Sequence, residues 1–367
     1  MILRPETDKP LFTPVSVVSA LPDAASTPWP MGDKLPETPL PADVDGALLD
    51  DAARTFFAND NDRRAAFIVV HRGRIVKEAY GSGAHVDMQL ESWSMGKSMT
   101  ATLMGRLIQK GLLELWQGAP VPEWQRPGDA RAEITLRDLL QMRSGLDHTE
   151  GGEVPYESSE VRMLFLDGRD DMADYATAQP LEAEPGERFE YSSNTTVILA
   201  DIAARALTDS KDPDIRRRAV SDYLKARLFD PLGMTSVVPE FDRAGTLIGG
   251  SLIHATARDW ARLGELLRNK GSYRGEQLVP RGWVEEMVTP SPQSPHYGLQ
   301  TWLNRPTGEE EHPLIPNRAP KNAFSMIGHM GQYVFVSPSQ KLTVVRLGHS
   351  DAPERRAMLQ QLADIVE

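Results

Sequence analysis

Strand-like alternation is confined to two stretches that stand far apart, Ala66 to Ala79 and Tyr333 to Leu347, and the residues between them carry mainly helical spacing. In the first stretch Ala66 to Val70 and Arg74 to Ala79 flank Arg72-Gly73, and in the second Tyr333 to Val336 and Leu342 to Leu347 flank Pro338-Ser339, so each reads as strand, turn, strand. A chain of 367 residues exceeds the size at which a single core stops growing. The order predicts one α/β domain assembled from both chain ends, with an α-helical domain inserted between them.

Helix signals fill in this outline. Val44, Ala47, Leu48, Ala52 and Phe56 give helical spacing from Asp43 to Phe57. Thr135-Leu-Arg-Asp138 is a capping-box pattern whose helix Gly145 should close, Asn194 can cap a helix through Ile198, Ile202 and Leu207, and Thr256-Ala-Arg-Asp259 opens another that ends at Gly271. A last helix starts at Pro353 with Leu359, Leu362 and Ile365 on one face. Nine of the 28 prolines fall in the first 41 residues, a density that forbids helix. The expected division is an extended arm over residues 1–42, an α/β domain from 43–115 and 250–367, and a helical domain from 116–249.

The net charge of −12, without a Lys/Arg cluster, argues against nucleic acid and anionic membranes as partners. There is no cysteine, which removes disulfides, thiolate metal sites and a Cys nucleophile. The most closely spaced histidines, His71 and His85, are fourteen residues apart, so no bound metal is expected, and glycine patterns such as Gly249-Gly250 lack the strand and helix context of a nucleotide loop, so no cofactor is expected either. No apolar run is long enough to span a bilayer and the first residues lack a signal core, so the cytoplasm is the expected compartment.

Three motifs carry chemistry. In Ser94-Met-Gly-Lys97, at the head of an apolar run with Thr100, Leu103, Met104 and Leu107, residues three apart share a helix face, so the Lys97 amine can reach the Ser94 hydroxyl. Lys97 falls on the stripe of Ala101, Met104 and Ile108 and should be buried. Burial without a carboxylate partner lowers its pKa, and a neutral amine can take the serine proton. In Pro185-Gly-Glu-Arg-Phe-Glu-Tyr191-Ser-Ser193-Asn194 a turn leads into a helix, and the Tyr191 phenol could relay that proton to a leaving group, given hydrogen bonds from Lys97. Gly328-His329-Met-Gly331-Gln332 enters a strand that could offer the Gln332 N–H as an oxyanion donor beside that of Ser94. Each pattern is common by itself, and a core lysine, a core tyrosine and a plain β-turn are the bland alternatives. Trp93, Tyr156, Trp302 and Tyr333 neighbour these motifs and are candidate pocket walls.

As an ordered set, these motifs with Leu139-Leu-Gln-Met-Arg-Ser-Gly145, Ala257-Arg-Asp-Trp-Ala-Arg262 and Val344-Val-Arg-Leu-Gly348 resemble the serine β-lactamase-related hydrolases over residues 43–367: class C β-lactamases, DD-peptidases, family VIII carboxylesterases and 6-aminohexanoate-dimer hydrolases. The resemblance implies an α+β fold of the β-lactamase and penicillin-binding-protein kind, an antiparallel sheet flanked by helices plus an inserted all-α domain, with the site in the cleft between lobes. It makes Ser94 the acylated nucleophile, Lys97 its base and Tyr191 the tyrosine of the Tyr-x-Asn box. Two positions depart from the pattern. Ser193 stands for the asparagine of that box, and His329-Met330-Gly331 stands for Lys-Thr-Gly, so the groups that hold a β-lactam carboxylate are missing.

The resulting expectation is a carboxylesterase-like serine hydrolase acting on small esters or amides, with Gln332, His329, Gly331, Ser193 and Asn194 as candidate oxyanion or substrate-binding residues. A 6-aminohexanoate-oligomer-type amide hydrolase, an acyltransferase using the same acyl-enzyme, a weak β-lactamase and a sensor that stays acylated are the alternatives. Gly-x-Ser-x-Gly and His-Glu-x-x-His signatures are absent.

Overall fold

The computed structural model describes residues 11–17, 19, 21, 23–58, 63–308, 313–350, 359–360 and 362–365. Strand β1 (Thr13–Pro14) and helix α1 (Gly46–Phe57) precede the hairpin β2 (Arg64–His71) and β3 (Arg74–Tyr80). Strand β4 (Leu90–Glu91) leads through a 3-10 turn, Trp93–Met95, into α2 (Gly96–Gln109). The middle holds α3 (Leu136–Leu140), α4 (Ser159–Phe165), α5 (Met172–Thr177), α6 (Ser193–Leu207), α7 (Pro213–Leu224) and, beyond a π-helical turn, α8 (Asp230–Leu232). Then come β5 (Val238–Phe241), β6 (Ile253–Ala255), α9 (Ala257–Arg268), β7 (Ser272–Tyr273), β8 (Glu276–Gln277), α10 (Arg281–Met287), β9 (Trp302–Leu303), β10 (Phe324–Gly328), β11 (Gln332–Ser337) and β12 (Leu342–Gly348).

The two expected hairpins share one antiparallel sheet of order β3-β2-β12-β11-β10-β9, in which β12 pairs with β2 and joins the chain ends. Period-two alternation sorts its side chains into two cores. Ala66, Ile68, Val70, Val345 and Leu347 face the larger core with α9 and α2, while Phe67, Val69, Val344 and Phe335 pack on Phe56 of α1 and on Leu362 and Ala363 near the carboxyl end. The helix read from Pro353 starts outside the described residues, but residues 359–360 and 362–365 are helical.

Where described, the proline-rich arm is pinned. β1 pairs with β5 in a second sheet of order β1-β5-β6-β4, so one strand falls inside the stretch read as helical. Arg262 donates to Pro30 O, Gly32 O and Asp33, each at 2.7 Å, and Trp29 donates to Gly73 O at 2.8 Å. The Ala257–Arg262 motif is therefore a structural clamp: Asp259 and Arg262, each 1% exposed, pair at 2.7 Å and hold the arm against α9.

Two helix ends differ from expectation. The Thr135 capping box forms, yet α3 stops at Leu140, because Met142 takes a left-handed φ of 56° before Gly145 is reached. Helix α6 is capped by Ser192, whose hydroxyl accepts from Thr195 N, and not by Asn194, which lies inside the helix. Among the described residues no helix is long and apolar enough to cross a membrane.

Candidate active site

Ser94 lies in the 3-10 turn that feeds α2, and that turn is held from behind. Ser92 is fully buried; its Oγ donates to Ser251 O at 3.0 Å and accepts from Ile253 N at 3.1 Å. Trp93 has a φ of 44°, a left-handed conformation uncommon outside glycine that persists only where the surroundings enforce it. The same 249–253 segment runs against α2, and Gly249 O accepts from Thr100 Oγ1 at 3.0 Å. This carries the next carbonyl, that of Gly250, to Lys97.

Lys97 is 1% exposed. Its Nζ lies 3.0 Å from Ser94 Oγ, 2.8 Å from Ser193 Oγ and 3.0 Å from Gly250 O, three partners for the three directions of an amine. Burial pushes its pKa below the usual lysine value, while Glu150 and then Glu160 oppose that shift. The expectation of a lysine without a carboxylate nearby is thus corrected: a Glu150 oxygen stands 3.9 Å from Nζ. Glu150 accepts from Ser193 N at 2.6 Å and from Ser193 Oγ at 2.7 Å. Glu160, on α4, is raised to about 7 by burial and by Glu150.

Tyr191 reaches the same serine from the turn before α6. Burial, reinforced by Glu150, raises the pKa of its phenol, an effect that Ser94 and Trp302 beside it partly oppose, so the phenol is neutral. Lys97 meets it differently from expectation, with Nζ over the ring face 5.0 Å from the centroid. The ring packs on Trp302 at 5.2 Å and Tyr297 at 5.8 Å, and His296 stacks on Trp302. Trp302 therefore lies in the wall beside Tyr191 and Ser94. Trp93 is at the site too, but Tyr156 is an exposed side chain, and Tyr333 packs in the core on the other side of the sheet with its hydroxyl on Pro313 O.

The third motif forms the β10–β11 turn, where Met330 and Gly331 have φ of 58° and 86°. His329 is exposed and lies edge-on to the Trp93 ring, 5.3 Å between centroids. Gly331 O accepts from Arg346, and the Gln332 amide bonds Gly348 O at 3.1 Å and Gly348 N at 2.9 Å, so both residues brace the turn on β12. The backbone that closes on the Ser94 turn is that of Gly328, where a Cβ would stand 2.4 Å from Ser92 O. Asn194 departs from its expected place: its side chain meets Ser159 on α4, 3.4 Å away, because it leaves α6 about 100° around the helix from Ser193. Of the residues expected at the site, Ser94, Lys97, Tyr191 and Ser193 come together, while Glu150, Glu160 and the Gly250 carbonyl were not anticipated. No group of three or more His, Asp or Glu among the described residues could hold a metal ion.

The Beta-lactamase family profile matches residues 49–367. The chain is 27% identical over 314 residues to 6-aminohexanoate-dimer hydrolase of Paenarthrobacter ureafaciens, covering 79% of this chain and 74% of that one. Among solved structures it is similar to one from Bacillus anthracis described as a 6-aminohexanoate-dimer hydrolase, with a TM-score of 0.68 at 22% identity over 97% and 90% of the two chains. A family VIII carboxylesterase has a TM-score of 0.60 at 17% identity over 87% and 97%. The ordered motifs, the sheet built from both chain ends and the profile match agree: this chain belongs to the Beta-lactamase family.

Proposed function

We propose that this family hydrolase cleaves small esters, and more slowly amides, through an acyl-enzyme on Ser94. The observation that carries the reading is the 3.0 Å approach of a buried lysine amine to a serine hydroxyl. Lys97 takes the Ser94 proton as Oγ bonds to the substrate carbonyl carbon. The tetrahedral intermediate collapses with loss of the alcohol or amine, which takes its proton through Tyr191. Water then attacks the acyl-enzyme by the reverse proton path and returns the free serine and a carboxylic acid. The Ser94 N–H is one candidate oxyanion donor, and the Gly328–Gln332 backbone beside the nucleophile turn is the candidate source of the second.

The preference for esters follows from the two departures from the lactamase pattern. The Ser193 hydroxyl is occupied by Glu150 and Lys97, and His329 packs on Trp93, so neither is placed as an amide or ammonium for a β-lactam. Intact-chain mass spectrometry during turnover of p-nitrophenyl acetate tests the proposal. A transient acetyl adduct in the wild type, absent from Ser94→Ala, is the expected result; an adduct that survives in Ser94→Ala would place the nucleophile elsewhere.

A further inference from the structure

Glu150 comes from the loop between α3 and α4 and belongs to none of the three motifs. Its two oxygens take both hydrogens that Ser193 presents, the amide at 2.6 Å and the hydroxyl at 2.7 Å. With its proton committed to Glu150, Ser193 Oγ can only accept from Lys97. Gly250 O, a carbonyl, can also only accept. A neutral amine has two hydrogens and one lone pair. If both hydrogens are drawn to Ser193 and Gly250, the lone pair is left facing Ser94, the one partner able to donate.

We propose that Glu150 is a positioning residue that acts through Ser193 to aim the Lys97 lone pair at the Ser94 hydroxyl. The proposal rests on the acyl-enzyme reading given above. In the step it serves, the Ser94 proton passes to Lys97 Nζ while the Oγ–C bond forms and the substrate carbonyl electrons move to oxygen. Loss of the carboxylate leaves at most one acceptor for the two Ser193 hydrogens, and a hydroxyl proton displaced toward Lys97 turns the lone pair away from Ser94.

The same contact has an electrostatic consequence. Lys97 is faced by the Ser94 hydroxyl from the 3-10 turn, by Glu150 from the loop, by Glu160 from α4, by the Tyr191 ring, by Ser193 from α6 and by the Gly250 carbonyl. Glu150 and Glu160 are the carboxylates in this set, and Glu150 acts more strongly. Removing its charge lets burial lower the amine further, so the acid limb of acylation moves to lower pH even as the plateau falls. A residue whose charge did not reach Lys97 would leave the limb in place, and the relay itself is read from the coupling of Glu150 with Ser193.

The test is kcat/KM for p-nitrophenyl acetate between pH 5 and 10 in the wild type, Glu150→Gln, Ser193→Ala and the double variant, with the Ser94 adduct followed by mass. Each single change should lower the plateau by about tenfold, and the double by no more than about tenfold, because both cut one relay. The acid limb of Glu150→Gln should move to lower pH. Independent losses that multiply to about a hundredfold, or a limb that does not move, overturn the proposal. Should Glu150→Gln fail to fold, Glu150→Asp keeps the charge and shortens the reach. It should hold the limb and lose plateau, and a normal plateau in Ser193→Ala overturns the relay regardless. A wild type that forms no Ser94 adduct overturns the acyl-enzyme reading instead, and this inference falls with it.

Discussion

Trp93 and His329 meet edge to face, 5.3 Å between ring centroids, and so tie the residue before Ser94 to the β10–β11 turn. One partner carries the positive φ of the turn that holds Ser94, and the other stands where the lactamase pattern has the cation of Lys-Thr-Gly. The imidazole is thus committed to packing on the wall of the site. The third motif thus supports the Ser94 turn from the side.

That commitment predicts weak β-lactamase activity. Turnover of nitrocefin should fall at least about a hundredfold below that of p-nitrophenyl butyrate in kcat/KM, since the loss of a charged substrate contact is worth several kcal/mol. Comparable values for the two substrates would show that a β-lactam carboxylate finds a partner elsewhere in the cleft.

Gly328 is where backbone closes on backbone. Gly328→Ala places a methyl 2.4 Å from Ser92 O, which neither strand nor turn can yield to without moving the serine, so kcat/KM for esters should drop by about tenfold or more. Gly282→Ala is the control: it sits in α10 with nothing within 4 Å of the new Cβ. There the change should leave activity intact and raise stability by up to about 1 kcal/mol through helix propensity. Equal activity in both variants would mean that β10 does not hold the site.

Lys97→Arg should be nearly inactive while folded, because a guanidinium stays protonated and cannot accept the serine proton. In the wild type, burial holds Lys97 below its usual range, so acylation should rise with pH and level off before 10.5, the value of an unperturbed lysine. A rate still climbing at that pH would assign the limb to another group.

His148 offers a pH test of stability. It is 1% exposed, its ring nitrogens meet Thr195 Oγ1 at 3.3 Å and Ala176 O at 3.1 Å, and burial lowers its pKa from 6.5 to about 4. The unfolded chain therefore binds the proton first as pH falls. The stability the neutral ring contributes is complete above pH 6.5 and is lost progressively down to pH 4, by about 3 kcal/mol. Urea unfolding of the wild type and His148→Gln should show their difference shrinking over that window, and a constant difference would rule out this burial effect.

The legible parts of the molecule were those fixed by periodicity. Ile68 and Val69 alternate between two cores, so β2 announces itself, and the three-residue spacing of Ser94 and Lys97 needs only a helix to bring amine to hydroxyl. What was not legible depends on the path of irregular chain. Glu150 precedes Gly151-Gly152 in a loop without pattern, and Gly250 contributes a carbonyl that any residue type would carry. Ser192 and Asn194 are both good cap residues two positions apart, and only the extended backbone at Ser192, with φ of −154°, selects between them. Asn194 then points to Ser159, because neighbours on a helix turn about 100° apart.

In the proposed mechanism Tyr191 and Lys97 divide the proton work, and their different approaches to Ser94 make that division testable. Lys97 approaches the Tyr191 ring from its face, 5.0 Å from the centroid, while the phenol lies toward Ser94 and Trp302. The two groups therefore meet through the serine. Tyr191→Phe keeps the ring and its packing on Trp302 and removes only the hydroxyl, so the base survives and the path to the leaving group is cut. A phenoxide with an activating nitro group leaves without a proton, whereas an alkoxide or amine does not. The variant should thus lose about tenfold on a p-nitrophenyl ester but about a thousandfold on an alkyl ester of the same acid. Measuring kcat/KM for both esters from pH 5 to 10 provides the check, with the pH profile reporting Lys97 unchanged. Equal losses on the two substrates would remove Tyr191 from proton delivery and leave it a wall of the pocket.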